Sequence, residues 1–467
     1  MGCKETMVNE SRLPRPVKKD LPQIKADGKI TALINYSATS YFIYRGQPMG
    51  FEYELLNHYA NSQGIILEVI PIKNLDSVFI LLNNGIGDVV AANFTVTLDR
   101  KKTVAFSKPI LYTKQVLVQR KPDNWKDLSK KKLKDSLIQS PLQLGGKTVY
   151  VRKESSFYER LNSLSKEIGD KIKIQTVPGE VSMEQLIDQV SKGKIDYTIA
   201  DKNIAIVNEW QYPNIDATVE VSNEQQIAYA LRKNSDSLIA SINNWLVSFQ
   251  KTTSFKLLYK KYYDNRNLHA KRIQHESFTL NSGQISPYDE ILKKYAATIS
   301  WDWELLASLI YQESRFNNDA IGWGNSFGLM QFMPITGAKY GVDSTSSAQD
   351  NIKAGIKYIN YLNKMWEDKI LDSTERIKFV LASYNVGPGH VFDAYRLAEK
   401  YNKNPKLWKD VSYFLKNKSK PKYYRDEVVK HGYCKGHITY NYVKEIMERY
   451  AHYKTAIETH QADLASK

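Results

Sequence analysis

The feature that most constrains this chain is a change of hydrophobic period near residue 264. Before it, short runs rich in Val, Ile, Thr and Tyr alternate with stretches whose apolar residues recur every three or four positions. After it only the helical period persists. A strand buries alternate residues and a helix buries one stripe, so the two patterns specify different elements. Strands are expected at 30–35, 65–70, 88–95, 148–151, 172–177 and 197–200, and helices at 51–62, 75–83, 156–168 and 183–192. That alternation predicts an α/β fold with mostly parallel sheets. A Lys- and Ser-rich patch at 124–144, followed by Gly145-Gly146, interrupts it and predicts a crossing into a second lobe. The return falls near 225–231, and a long helical segment at 237–263 closes the unit.

The chain of 467 residues is too long for one core. We expect a tether at 1–28 and an α/β domain at 29–263, with lobe 1 at about 29–118 and 225–263 and lobe 2 at about 119–224. The polar stretch 264–284 shows no period and reads as a linker; an all-α domain at 285–455 and a tail at 456–467 follow. In the all-α part, Ser286-Pro287 is expected to open a helix, with further helices at 302–313, 350–366 and 374–384. No apolar run approaches the ~20 residues that span a bilayer.

The formal net charge of +16 favours polyanionic partners, yet the basic residues are scattered and no nucleic-acid-binding motif is present, so no nucleic-acid partner is expected. The two cysteines, Cys3 and Cys434, have no CxxC or metal-ligand spacing. Neither a metal nor a cofactor is expected.

Within Trp303–Phe316, Leu306, Leu309 and Ile310 form the apolar stripe of a short helix, and Glu313 continues it three residues further on. A carboxyl group on such a face is desolvated, which favours its protonated form and suits a general acid near neutral pH. On these residues alone, a Glu at a frayed helix end or paired with Arg315 remains an alternative. Downstream stand Gly328-Leu329-Met330-Gln331 after a Gly-rich loop, Ser383-Tyr384-Asn385-Val386-Gly387 at a sharp reversal, and Tyr-Cys-Lys-Gly-His-Ile-Thr-Tyr-Asn-Tyr-Val at 433–443.

In order and spacing these four motifs resemble the soluble lytic transglycosylase domain, a lysozyme-like helical fold, over about 285–450. The one departure is Ser383, where that family usually has Ala. The resemblance implies that Glu313 protonates the glycosidic oxygen between N-acetylmuramic acid and N-acetylglucosamine in glycan strands of peptidoglycan. As a carboxylate it then takes the proton from the muramyl C6 hydroxyl, giving a 1,6-anhydro product. No second carboxylate stands at a motif position, and the 2-acetamido group supplies the assistance. Gln331, Tyr384, Asn385 and Tyr442 are implied to bind or orient the sugar and the acid, and Ser314 to support the helix or the leaving sugar. Trp323 and Phe327 either stack on sugar or pack as core, and are left outside the site.

The first domain resembles periplasmic amino-acid-binding proteins, through 42–64, 81–109 and the Thr95-Val96-Thr97-Leu98-Asp99-Arg100 run. That family implies a two-lobed periplasmic-binding-protein fold. Arg100 and Thr95 would meet a ligand α-carboxylate, Ser155 and Ser156 an anion at a helix N-terminus, and Asp201 an ammonium group. Glu154 stands where Gly is common, and the alternative for Arg100 is an ion pair with Asp99 or Glu52. An effector such as a muropeptide or an amino acid would regulate the enzyme. The two-module arrangement resembles the membrane-bound murein transglycosylase F subgroup, and with it Cys3 resembles the lipidated first residue of an outer-membrane lipoprotein of the bacterial periplasm. A lysozyme-type hydrolase and an inactive wall-binding sensor are the alternatives.

Overall fold

The computed structural model describes residues 14–465. Cys3 lies outside the described residues. The chain forms two compact units, one of the chain up to Phe42 plus Pro48–Asn281, the other of Ile43–Gln47 plus Ser282–Lys467.

The first unit is the expected α/β fold, built on two five-stranded sheets with a two-stranded ribbon of Leu111–Thr113 and Gln225–Ile227. In the first, Ile66–Ile72, Lys29–Asn35 and Val89–Ala91 run parallel, with Ala32 opposite both Val69 and Val89; Ala230–Leu231 and Ala105–Phe106 complete it antiparallel. The second sheet runs Lys173–Val177, Thr148–Arg152, Tyr197–Asp201, Gln115–Arg120, Ile215–Asp216. Gln115–Arg120 is buried along almost its whole length, so the chain leaves the first lobe a few residues before the expected position. Its apolar run is only Val116–Val118, set between glutamines, too short to stand out in the sequence.

Three segments expected as connectors are packed structure. In the expected tether, Leu21–Asp27 is a helix started by a reciprocal cap between Asp20 and Gln23, and the Asp20 carboxylate also accepts the backbone N–H groups of Ser237 and Leu238 at 3.0 and 2.8 Å. In the expected linker, Arg266–Ile273 is a helix with Arg272 and His269 buried; the Arg272 guanidinium lies 4.9 Å over the Tyr262 ring. A helix buried through polar residues leaves no apolar stripe to read. The expected tail continues the helix Gly436–Ala465, with Ala456 and Ile457 buried.

The second unit is all-α among its main elements. Trp303–Ser314 packs along Gly436–Ala465, where the Ser308 hydroxyl donates to the Ile446 carbonyl at 2.7 Å and Arg449 donates to Gln312 at 2.9 Å. Ala348–Glu367, Ser373–Val386, Pro388–Lys400 and Trp408–Asn417 surround them, with Trp366 fully buried and stacked on Phe392 at 4.2 Å. The Trp366 indole N–H donates to the Ser383 hydroxyl at 2.9 Å, so the departure from Ala supplies a partner for a buried donor. The first helix begins at Asp289, not at Ser286; the Asp289 carboxylate gathers the backbone N–H groups of Ile285 and Ser286, both at 2.9 Å.

Candidate active site

Glu313 occupies the last turn of Trp303–Ser314, whose Leu305, Leu306, Leu309 and Ile310 are buried. The helix stops because Arg315 and Phe316 both take left-handed backbone (φ 54° and 64°). Without glycine this costs roughly 1–2 kcal/mol per residue, strain of a kind that collects at functional sites. Arg315 is exposed, and no ion pair joins it to Glu313 among the described residues. The Tyr442 hydroxyl donates to Glu313 Oε1 instead. Burial raises the Glu313 carboxyl to about 7, against the opposing pull of the Tyr442 hydrogen bond. It is therefore divided between acid and carboxylate near neutral pH.

Tyr384 donates to the Met330 carbonyl at 2.7 Å, and Glu313 lies close enough to raise its hydroxyl's pKa further above the burial effect. This bond ties the Ser373–Val386 helix to the Gly328–Gln331 turn. Met330 N–H donates to Asn351 Oδ1 at 2.9 Å, and a Cβ on Gly328 (φ 77°) would fall 2.2 Å from Asn351 Nδ2, so both backbone conformation and space demand glycine there. Gln331 is itself left-handed (φ 49°); its amide donates to the Ala320 and Gly328 carbonyls at 3.0 and 2.9 Å, and its Oε1 accepts from Ser326 at 2.8 Å. Asn385 is exposed and accepts from the Thr439 hydroxyl at 2.7 Å. Ser314 is buried and its hydroxyl returns to the Ile310 carbonyl at 3.3 Å, a bond within its own helix. The structure thus joins Glu313 directly to Tyr442, sets Tyr384 beside them, and links Gln331 to Tyr384 through Met330. Asn351, Ser326 and Thr439 escaped sequence reasoning, since nothing local marks a residue that anchors another segment.

In the first unit Thr95, Arg100, Ser155, Ser156 and Asp201 all line one small cavity, of about 30 Å³. Its walls meet across the lobes: Ser156 Oγ donates to Thr95 Oγ1 at 3.3 Å, and Asn93 Nδ2 to Asp201 Oδ2 at 2.7 Å. Ser155 caps the helix Ser156–Ile168 by accepting from Tyr158 N–H at 3.3 Å. Arg100 donates to the Thr95 carbonyl at 2.9 Å and covers the Phe94 ring at 4.5 Å. It is not in the alternative ion pairs, because Asp99 pairs with Lys102 at 2.7 Å and Glu52 is buried away from solvent. Burial lowers Arg100 to about 10, and raises Asp201 to about 7 against the opposing charges of Arg100 and Arg152. Asp201 Oδ1 has no hydrogen-bond partner among the described residues. Glu154 is exposed at the surface, outside this lining. Arg152, two residues ahead of it, lines the cavity and was not anticipated.

Comparison with known proteins agrees with this division. Residues 29–265 match the family described as bacterial extracellular solute-binding proteins, family 3, and residues 290–407 match the transglycosylase SLT domain. The chain is 33% identical over 437 residues to membrane-bound lytic murein transglycosylase F of Desulfosudis oleivorans, covering 92% of this chain and 91% of that one. It is 30% identical over 441 residues to the protein of the same name from Pseudomonas putida, covering 92% and 86%. Among solved structures, an ancestral arginine-binding protein bound to arginine is 24% identical, with a TM-score of 0.42 over 50% of this chain and 98% of that one.

Proposed function

This chain belongs to the membrane-bound lytic murein transglycosylase F family, and from that premise we propose that Glu313 alone serves as acid and then base in cleaving the MurNAc-β-1,4-GlcNAc bond. The family makes the protein a lyase of peptidoglycan and places it in the cell envelope. No helix among the described residues is long and apolar enough to cross a membrane. Anchoring to the outer membrane through Cys3 belongs to the same proposal.

One observation carries the catalytic reading: the Glu313 carboxyl accepts the Tyr442 hydroxyl and is held near pKa 7 by its burial. The protonated Glu313 gives its proton to the glycosidic oxygen as the C1–O bond breaks. The muramyl acetamido oxygen closes on C1 and holds the developing positive charge. Glu313, now a carboxylate, removes the proton from the C6 hydroxyl as O6 displaces the acetamido oxygen. The anhydro ring forms, no water is consumed, and the acid is restored. Tyr442 keeps the carboxyl aimed through this cycle, while Gln331, Tyr384 and Asn385 bind and orient the sugar; positioning of this kind contributes through geometry. Ser314 supports the helix that bears the acid.

Mass spectrometry of muropeptides released from purified wall tests this directly. Anhydro-muramyl ends are expected; reducing muramyl ends would instead establish the hydrolase reading, and no release at all the sensor reading.

In the first unit, Arg100 and Asp201 face one cavity with the charges an α-amino acid or peptide terminus requires, while Thr95, Ser155 and Ser156 supply hydroxyls. Removing Arg100 (Arg100→Ala) is expected to weaken binding of wall-derived peptides or amino acids by ~10- to 100-fold, the usual value of a charge-assisted bond. Calorimetric titration with turnover measured in parallel checks both parts. Binding without any change in turnover would end the regulatory role.

A further inference from the structure

Trp323 and Phe327, which sequence alone could assign either to sugar or to core, have opposite fates. Phe327 is 6% exposed and belongs to the core, whereas Trp323 is 89% exposed. Ile321, two residues before it, is exposed at 73%. A large indole turned wholly into water gains nothing from folding, and apolar residues clustered at the surface mark contact sites more often than chance.

The indole is also held on a stiff support. The 321–327 segment turns back on itself: Ile321 pairs with Phe327, Gly322 N–H donates to the Ser326 carbonyl at 2.8 Å, and Ser326 N–H to the Trp323 carbonyl at 3.2 Å. Gly324 and Asn325 take left-handed backbone at φ 64° and 61°. The Ser326 hydroxyl then donates to Gln331 at 2.8 Å, and the Gln331 amide to the Ala320 carbonyl at 3.0 Å. From Gln331 one residue and one hydrogen bond lead through Met330 to Tyr384, whose hydroxyl feels the charge of Glu313. An apolar groove of about 500 Å³, lined by Ile321, Phe327, Pro334 and Val342, opens beside the turn.

We propose that Trp323 is a stacking platform for a sugar ring of the glycan strand, a binding subsite tied to the catalytic residues through Gln331. The inference rests on the reading of Glu313 and Gln331 as parts of the glycan site. The face of an indole carries negative potential, and a β-1,4-linked pyranose presents an apolar face of weakly positive C–H bonds to it. A preordered turn spares the complex the entropy of arranging the platform. Continuity with Gln331 selects the glycan over a membrane surface, the other partner that exposed Trp and Ile residues can serve.

The test uses the full chain with Glu313→Gln as the background, so that a β-1,4-linked N-acetylglucosamine hexamer is bound and not cut. Adding Trp323→Ala is expected to weaken hexamer binding by ~10-fold, and Trp323→Phe to retain most of it. In the active chain, Trp323→Ala is expected to raise KM on purified glycan strands by a similar ~10-fold factor with kcat held within about twofold. Hexamer affinity unchanged by Trp323→Ala overturns the proposal. So does co-sedimentation with phosphatidylglycerol vesicles that Trp323→Ala abolishes while hexamer binding persists, which assigns the patch to the membrane. Failure of the catalytic reading has a separate signature, since it shows as lysis by Glu313→Gln whatever stands at position 323.

Discussion

Glu313→Gln is expected to abolish wall lysis, with turnover falling by ~10²- to 10⁴-fold, while the fold survives or gains stability. Glutamine keeps the shape and can still accept the Tyr442 hydroxyl, yet it has no proton to give and no charge with which to retrieve one. The stability sign follows from the carboxyl itself. Its folded-state value, about 7, lies above the ordinary 4.5, so the folded protein binds a proton that the unfolded chain has released. Stability contributed by this group is therefore present in full below pH 4.5 and declines as pH rises to about 7. The variant lacks that decline, so its melting temperature equals or exceeds that of the parent above neutral pH, a cost of function that the active site carries. Turbidity loss of wall suspensions and calorimetry at pH 4 and pH 8 check the two halves. The parent's turnover is also expected to fall above about pH 7, as the acid form is lost. Clear residual lysis, or a variant that melts far below its parent at pH 8, contradicts the assignment.

The largest structural effect is expected at Asp393. Its carboxylate and the Lys418 ammonium are both fully buried and paired; Asp393 also accepts from Arg396 and from the backbone N–H groups of Lys430 and His431 at 2.8 and 2.9 Å. Burial by itself would raise the carboxyl's pKa, but Lys418 and the two backbone donors outweigh it and hold the group below its usual 3.8. The pairing secures residues 430–431, just ahead of the Gly436–Ala465 helix that carries Thr439 and Tyr442. Asp393→Ala strands the buried Lys418 ammonium with the His390 ring at 2.9 Å as its remaining hydrogen-bond partner among the described residues, so a loss of ~3–5 kcal/mol is expected. Adding Lys418→Met removes the stranded charge and recovers part of the loss, because an apolar side chain of similar size tolerates the site. Because the folded pKa is depressed, Asp393 contributes its stability above about pH 4, and that contribution disappears as pH falls through the folded value. Chemical denaturation of the single and double variants at pH 7 measures the cycle; an Asp393→Ala change costing under ~1 kcal/mol contradicts it.

Much of the fold and part of the site were legible before any coordinates. Strands at 30–35 and 197–200 were legible from runs rich in Ile, Thr and Tyr, and the helix at 156–168 from the spacing of its apolar residues, and those elements are present. Glu313 was visible because it continues the stripe of Leu306, Leu309 and Ile310. Gln115–Arg120 escaped because its apolar run is only Val116–Val118 between glutamines, and Arg266–Ile273 because it is buried through Arg272 and His269. The expected tail at 456–467 failed for another reason: only the partner surface reveals that Ala456 and Ile457 are covered.

By itself, then, the sequence determined which segments are strands or helices with one buried face, where the α/β pattern gives way to helices, and which carboxyl group ends an apolar stripe. The tertiary structure alone decided that Tyr442 reaches Glu313 across 129 residues of chain, that Thr95 meets Ser156 across two lobes, and that Trp323 faces water while Phe327 does not. Periodicity records how a segment meets water within a few residues. Which distant side chain completes a hydrogen bond or covers a face depends on the path of the whole backbone, and no local pattern carries it.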